Sequence, residues 1–504
     1  HTRSIIDPMY DAGIRLLHVG INSACPLPSV PTFCRWRSPS GNDLLLVYQK
    51  DYGEDEVLPD GKTVVSINFT GDNHGPHSYE RVKKIYADLR KRYPQAQLVG
   101  ASFNDVAREL LLIKKDLPVV TSEIGDTWIF GYGGAPIRMA KFRAVSRLYS
   151  QWLNEGKIKK DSDVALDFAA ELGLIAEHTQ GVDVKTHLRQ WDKYDMDKFL
   201  KGRSEGVFSM AEASWKEIDN YIDSAIAFLP ASLQKEAREV VAEVDKVKLE
   251  DNSKMKPMAR KRWEQPIAGG MTLAGLSYQM FDGDDYDDFQ NRYLRARYEW
   301  ALDDLGKRGL KESHAVSVTL YAQTMAQSVR KEKKGTRIIT ELRFPENEKV
   351  DKRVYPERIQ VNCFTTKNGK RSEVALTIYG KPAVRLPESY WLSFTVPGIE
   401  SVIAEKMGER VNLMDVVEKG NRQMHGIDRY VDLITSGETI RISSKEAFLL
   451  NVGEAQGLNY STNYPDKRKG VHFNLNNNLW GTNFSMWNEG SLTYHFVIET
   501  LSRK

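Results

Sequence analysis

Three short stretches gather the side chains whose types and spacing could do chemistry. Gly71-Asp72-Asn73-His74-Gly75-Pro76-His77 sets a carboxylate, an amide and two imidazoles on a loop bracketed by glycines. Such a set can clamp sugar hydroxyls or a metal; the plainer alternative is a turn whose Asp and Asn cap the next helix. Ser122-Glu123-Ile124-Gly125-Asp126-Thr127-Trp128 places two carboxylates beside a tryptophan. General acid catalysis of glycoside cleavage needs one carboxyl kept protonated at the leaving oxygen, and burial near an aromatic ring raises a carboxyl pKa. An acidic first turn of a helix would use the same residues without catalysis. Glu177-His178-Thr179-Gln180-Gly181 puts one histidine at the end of a helical pattern, where an imidazolium more often meets the helix C-terminus than a metal.

These stretches depend on the elements around them. From Ile5 to about Pro136 the pattern predicts strands at Ile14–Leu17, Leu44–Tyr48, Val64–Phe69, Gln97–Ala101 and Leu117–Thr121, with helices at Tyr79–Tyr93 and Asn104–Lys115. That alternation predicts parallel pairing with crossover helices, as an open sheet or a barrel. Ligands bind beyond the carboxyl ends of such strands, which is where the first two stretches fall. Arg138–Glu155, Ser162–His178 and the stretch from Ser209 through Val247 carry apolar residues at three-and-four spacing, as in an antiparallel helical bundle. After Pro266, alternating segments such as Val316–Ala322, Glu373–Tyr379, Tyr390–Val396, Thr439–Ile442 and Val471–Leu475 predict an antiparallel β-sandwich, interrupted by a charged helix over Asp284–Leu305. The expected fold class is thus multidomain α/β, α and β: a partial α/β barrel at 1–136, a helical bundle at 137–265 and β-sandwich at 266–504.

Composition narrows the function classes. Among 504 residues, 71 Lys and Arg face 68 Asp and Glu, a net charge of +3 with no polybasic arm, so no nucleic acid and no anionic membrane is an expected partner. No run of 18 apolar residues predicts a membrane-spanning helix. The three cysteines, Cys25, Cys34 and Cys363, lack any CxxC spacing, which disfavours thiolate zinc sites and redox motifs. Ten Trp and 22 Tyr would suit the stacking of sugar C–H faces, although a large β-rich core also buries many aromatics.

Several of these segments together resemble glycoside hydrolase family 38, the retaining α-mannosidases. The opening His1-Thr2-Arg3-Ser4 with Asp11-Ala12-Gly13-Ile14 is similar to a Gly-His-Ser-Arg run of that family. Phe33-Cys34-Arg35-Trp36 with Gly41 resembles its Phe-x-Trp stretch, and Gly71-Asp72 its Gly-Asp-Asp loop. Ser122–Trp128 with Gly131, Tyr132 and Pro136 resembles its Ser-Asp-Arg-x-Asp-x-Tyr-Trp-x-Gly-Tyr segment, and Glu177-His178 stands where the family has His-His-Asp. The tail, with Asn477-Asn478 and Trp480-Gly481-Thr482-Asn483, looks like the closing strands of a bacterial branch of these enzymes.

The resemblance implies a retaining, zinc-assisted cleavage of an α-mannoside-like linkage, in which zinc ligates two adjacent sugar hydroxyls. It implies Glu123 as the acid/base with Asp126 as the fallback, and His178 as a zinc ligand. Asp72, Asn73, His74, Trp36 and Trp128 are expected to line the sugar site, and the partner is an oligosaccharide or polysaccharide. The family's nucleophile and remaining zinc ligands would lie before His1, and a periplasmic or extracellular location is implied by the resemblance alone. Reduction of His-His-Asp to Glu177-His178-Thr179 favours the alternative, a non-catalytic carbohydrate-binding protein on a degenerate glycosidase fold.

Overall fold

The computed structural model describes residues 1–71, 74–125, 128–251, 253 and 255–501. Its chain is mixed helix and sheet, dominated by two large antiparallel sheets.

The first segment builds a four-stranded sheet in the order Leu16–Gly20, Asp43–Gln49, Phe33–Arg37, Val119–Val120. Leu16–Gly20 runs parallel to Asp43–Gln49, and Phe33–Arg37 parallel to Val119–Val120, but Phe33–Arg37 and Asp43–Gln49 are antiparallel. The expected all-parallel order therefore does not hold. Only Ser38-Pro39-Ser40-Gly41-Asn42 joins the two central strands, too few residues for a crossover, so they must fold back as a hairpin. Gly41 takes φ +105° in that turn, where the Ser38 hydroxyl accepts the backbone N–H of Gly41 and Asn42. Among the described residues, Val64–Ser66 pairs only with Asp55–Val57, as a separate two-stranded hairpin. The strand expected over Gln97–Ala101 does not form: Val99 is solvent-exposed, with no neighbouring strand to bond it. Among the described residues the strands of the first segment are this four-stranded sheet and the separate hairpin, where a partial barrel of seven-stranded type is expected.

The helical segment holds Pro136–Asn154, Asp163–Gly173, Ser209–Ala227 and Ala231–Asp245, with shorter helices between. Val145, Trp152, Phe168, Ile222 and Ile226 share one apolar core, and the Trp152 indole donates to Glu236 Oε2 at 2.8 Å across it. These residues recur at three-and-four spacing, which places them on facing stripes.

From Lys256 onward a seven-stranded and a ten-stranded sheet, both antiparallel, face each other across a common core. Phe394 of the smaller sheet meets Phe496 of the larger at 5.4 Å between ring centroids. The single helix expected over Asp284–Leu305 is two, Gly283–Tyr293 and Glu299–Asp304. Between them the Arg295 guanidinium donates to the carbonyls of Ser23, Asn22 and Lys50 (2.9–3.2 Å), so the chain leaves the helix to dock on the first segment.

Candidate functional site

The segment after Val119–Val120 leaves the carboxyl end of its strand and crosses to the sandwich. The Glu123 N–H donates to the Asp415 carbonyl and the Glu123 carbonyl accepts from Val417 N–H, both at 2.9 Å, while Ile124 N–H donates to the His1 carbonyl at 3.1 Å. Two of its glycines are required by close approach: a Cβ on Gly125 would stand 2.2 Å from the Asn421 carbonyl oxygen, and one on Gly131 would stand 2.2 Å from the Phe484 ring.

On one side of this segment lies a cavity of about 370 Å³ whose wall includes Glu123, Ile129, Lys406, Met424, His425 and Phe448. That is the lower end of the range for small-molecule pockets. Glu123 is buried, and donors alone surround its carboxylate: Arg3 N–H (2.8 Å) and the Thr2 hydroxyl (3.1 Å) on Oε1, Lys406 Nζ (2.8 Å) on Oε2. Burial, with the Lys406 charge adding to it, pushes the His425 pKa down to about 3, while His425 Nε2 meets the Arg422 carbonyl at 3.0 Å. At neutral pH the cavity therefore presents a neutral imidazole beside an ion pair. Arg143 closes the seam to the helical segment by donating to the carbonyls of Ile427, Asp428, Ser444 and Lys445.

On the other side, Trp128–Gly134 forms a short 3₁₀ stretch against the tail. Trp128 stacks on Trp480 at 6.0 Å and packs against Phe484 at 5.4 Å; Tyr132 meets Phe484 edge-on at 5.9 Å. The Tyr132 hydroxyl donates to the Ala176 carbonyl at 2.8 Å, and burial plus the nearby Glu177 charge pushes its pKa up to about 12. The loop that follows is held by Gln180, which is buried, donates from Nε2 to the carbonyls of Ile175 and Glu177 (2.8 Å each) and accepts from Arg138 at 3.0 Å. His178 stands out from this loop with its side chain 65% exposed and its Nδ1 on Glu177 Oε1. Burial raises the Glu177 pKa, but Thr179 N–H and the His178 charge outweigh it and hold the carboxyl below its ordinary value.

The structure thus joins Glu123, Trp128 and the Glu177-His178 loop along one run of contacts. It departs from several expectations. Glu123, expected as the acid/base, lines the cavity while its carboxylate accepts from Arg3, Thr2 and Lys406, which hold it in place. Trp36 is fully buried and donates its indole N–H to the Ser122 carbonyl at 3.0 Å, which makes it core and removes it from any sugar surface. His74 is exposed beside Gly71, on the loop that follows the two-stranded hairpin. Asp72, Asn73 and Asp126 lie outside the described residues. For zinc, His178 and Glu177 supply two donors where a catalytic site normally has three protein ligands. Among the described residues no group of three His, Cys, Asp or Glu stands together to hold a metal.

Sequence reasoning missed Lys406, His425 and Arg143. Lys406 ends the strand Ser401–Lys406 just before Met407 (φ 51°) and Gly408 (φ 87°), a two-residue hairpin turn that pairs Lys406 with Glu409. Met-Gly before a short alternating run was the available signal for the turn; nothing local marks the partner.

Comparison with known proteins adds the following. A model of a domain of unknown function (DUF5054) matches residues 133–267, which span the helical segment. No curated protein matches the chain. Among solved structures, the fold is similar to an α-mannosidase from Enterococcus faecalis V583, with 9% identity over 97% of this chain and 71% of that one and a TM-score of 0.49. A protein in glycosyl hydrolase family 38 from Enterococcus faecalis gives 10% identity, 99% and 71% coverage and a TM-score of 0.43. A putative aldose 1-epimerase from Escherichia coli K12 gives 8% identity, 35% and 69% coverage and a TM-score of 0.19.

Proposed function

We propose that this protein is a carbohydrate-active protein of the glycosidase type, acting on an α-mannoside-like sugar at the border between Trp128–Gly134 and the Glu177-His178 loop. The observation that carries the reading is the hydrogen bond from Tyr132 to the Ala176 carbonyl, 2.8 Å long between residues 44 apart. It brings together two stretches that the family resemblance assigns to one sugar site. With Glu123 held by Lys406, Arg3 and Thr2, the acid role passes to Asp126, and Trp128, two residues on in sequence, offers an aromatic ring. His178 and Glu177 are the side chains of this border that would meet sugar hydroxyls, and zinc enters only with ligands beyond these two. The substrate is an oligosaccharide or polysaccharide, and the place of action is periplasmic or extracellular.

A second reading, carbohydrate binding without cleavage, is favoured by the contact of His178 Nδ1 with Glu177 Oε1, which leaves the histidine engaged by its neighbour. Both are tested by mixing the protein with aryl and alkyl α-mannosides and following product release together with saturation-transfer NMR of the sugar. Turnover supports the enzyme, saturation transfer without turnover the binding protein, and neither signal overturns both.

A further inference from the structure

We propose that Lys307 and Arg385 bind one small inorganic anion, of chloride size, in the seam between the helical segment and the sandwich. Arg385 is buried at 2% exposure, its guanidinium 4.1 Å from the centre of the Tyr194 ring and 5.2 Å from that of Phe208. Its hydrogen bond is one long contact from Nη1 to the Trp191 carbonyl, 3.4 Å. Lys307 turns its ammonium inward and donates to the Trp480 carbonyl at 2.9 Å. Both cations line one small cavity with Trp191, Tyr194, Gly481, Met486 and a third cation, Arg308, which Asp303 neutralises; it is roomy enough for about one water-sized body.

The acids whose charge reaches this cluster are Asp192, Asp303 and Glu312, and the first two pair with other cations. Asp192 is 57% exposed and pairs with Lys193 at 3.3 Å; Asp303 pairs with Arg308 at 3.4 Å. Among the described residues neither Lys307 nor Arg385 has a carboxylate within ion-pair distance. Two enclosed cations with no counter-charge are costly, and burial together with Arg385 drives the Lys307 pKa down to about 7. A single anion between them supplies the missing charge to both, and the small cavity favours a monatomic one.

The test is thermal unfolding in sodium chloride against sodium gluconate at constant ionic strength, with diffraction from crystals grown in bromide. Chloride and bromide should raise the unfolding midpoint saturably by several degrees over gluconate, and anomalous density should mark bromide between Lys307 and Arg385. Lys307→Met and Arg385→Gln should each abolish the halide response while still melting cooperatively; if Arg385→Gln fails to fold, Lys307→Met and the bromide peak decide. A wild-type midpoint indifferent to halide, a response unchanged in Lys307→Met, or no bromide at that position would each overturn the proposal.

Discussion

Lys406 Nζ lies 2.8 Å from Glu123 Oε2, joining residues 283 apart with side chains only 11% and 4% exposed. Removing one partner of such a pair leaves the other buried without counter-charge, at about 3–5 kcal/mol. Lys406→Met and Glu123→Gln are each expected to lose stability on that scale in urea denaturation. The double variant should lose less than the sum, because neither charge is then stranded.

Gly131→Ala should destabilise by about 1–3 kcal/mol, since its Cβ would meet a Phe484 ring that Trp128 and Tyr132 already confine. The strain acts on Trp128, so its indole fluorescence should shift red as the stack on Trp480 loosens. An unchanged spectrum with lost stability would place the relaxation in the sandwich.

The order of α/β material, long helices and antiparallel strands was legible because each follows from a local period: alternation around Tyr390, three-and-four spacing around Phe168. Strand direction in the first sheet is parallel by that reading, although the short Ser38–Asn42 connection dictates an antiparallel pair at its centre. The helix expected over Asp284–Leu305 breaks because Arg295 finds carbonyls some 245–273 residues away, a gain no window of sequence contains. In the site, Glu123 was singled out for its chemistry, yet its role depends on Lys406, Arg3 and Thr2, none of which is adjacent in sequence.

Acid should weaken the fold through two buried imidazoles. Burial lowers His425 from 6.5 to about 3 and His472 from 6.5 to about 4. Between those values and 6.5 the unfolded chain binds protons that the folded chain does not, so stability rises with pH through this window and falls as pH drops from 6.5. Urea midpoints measured from pH 7 to pH 4 should decline, and His425→Gln should flatten the decline.

Met407 holds φ 51° in the turn after Lys406, a conformation that a non-glycine side chain other than Asn or Asp adopts at a cost of roughly 1 kcal/mol. Met407→Asn should therefore raise the melting midpoint. Met407 also lines the Glu123 cavity, so an apolar probe of that cavity should bind the variant more weakly even as the fold gains stability.

The most direct measurement compares Glu123→Gln with Asp126→Asn on two α-mannosides, one with an activated aryl leaving group and one with an alkyl leaving group. Only the alkyl substrate needs a proton in the transition state, so loss of the acid should slow it about 10²-fold or more and largely spare the aryl glycoside. Asp126→Asn is expected to show that split. Glu123→Gln is expected to lower the melting midpoint and to affect both substrates alike. A leaving-group split in Glu123→Gln at an unchanged midpoint, with Asp126→Asn indifferent, would contradict the account.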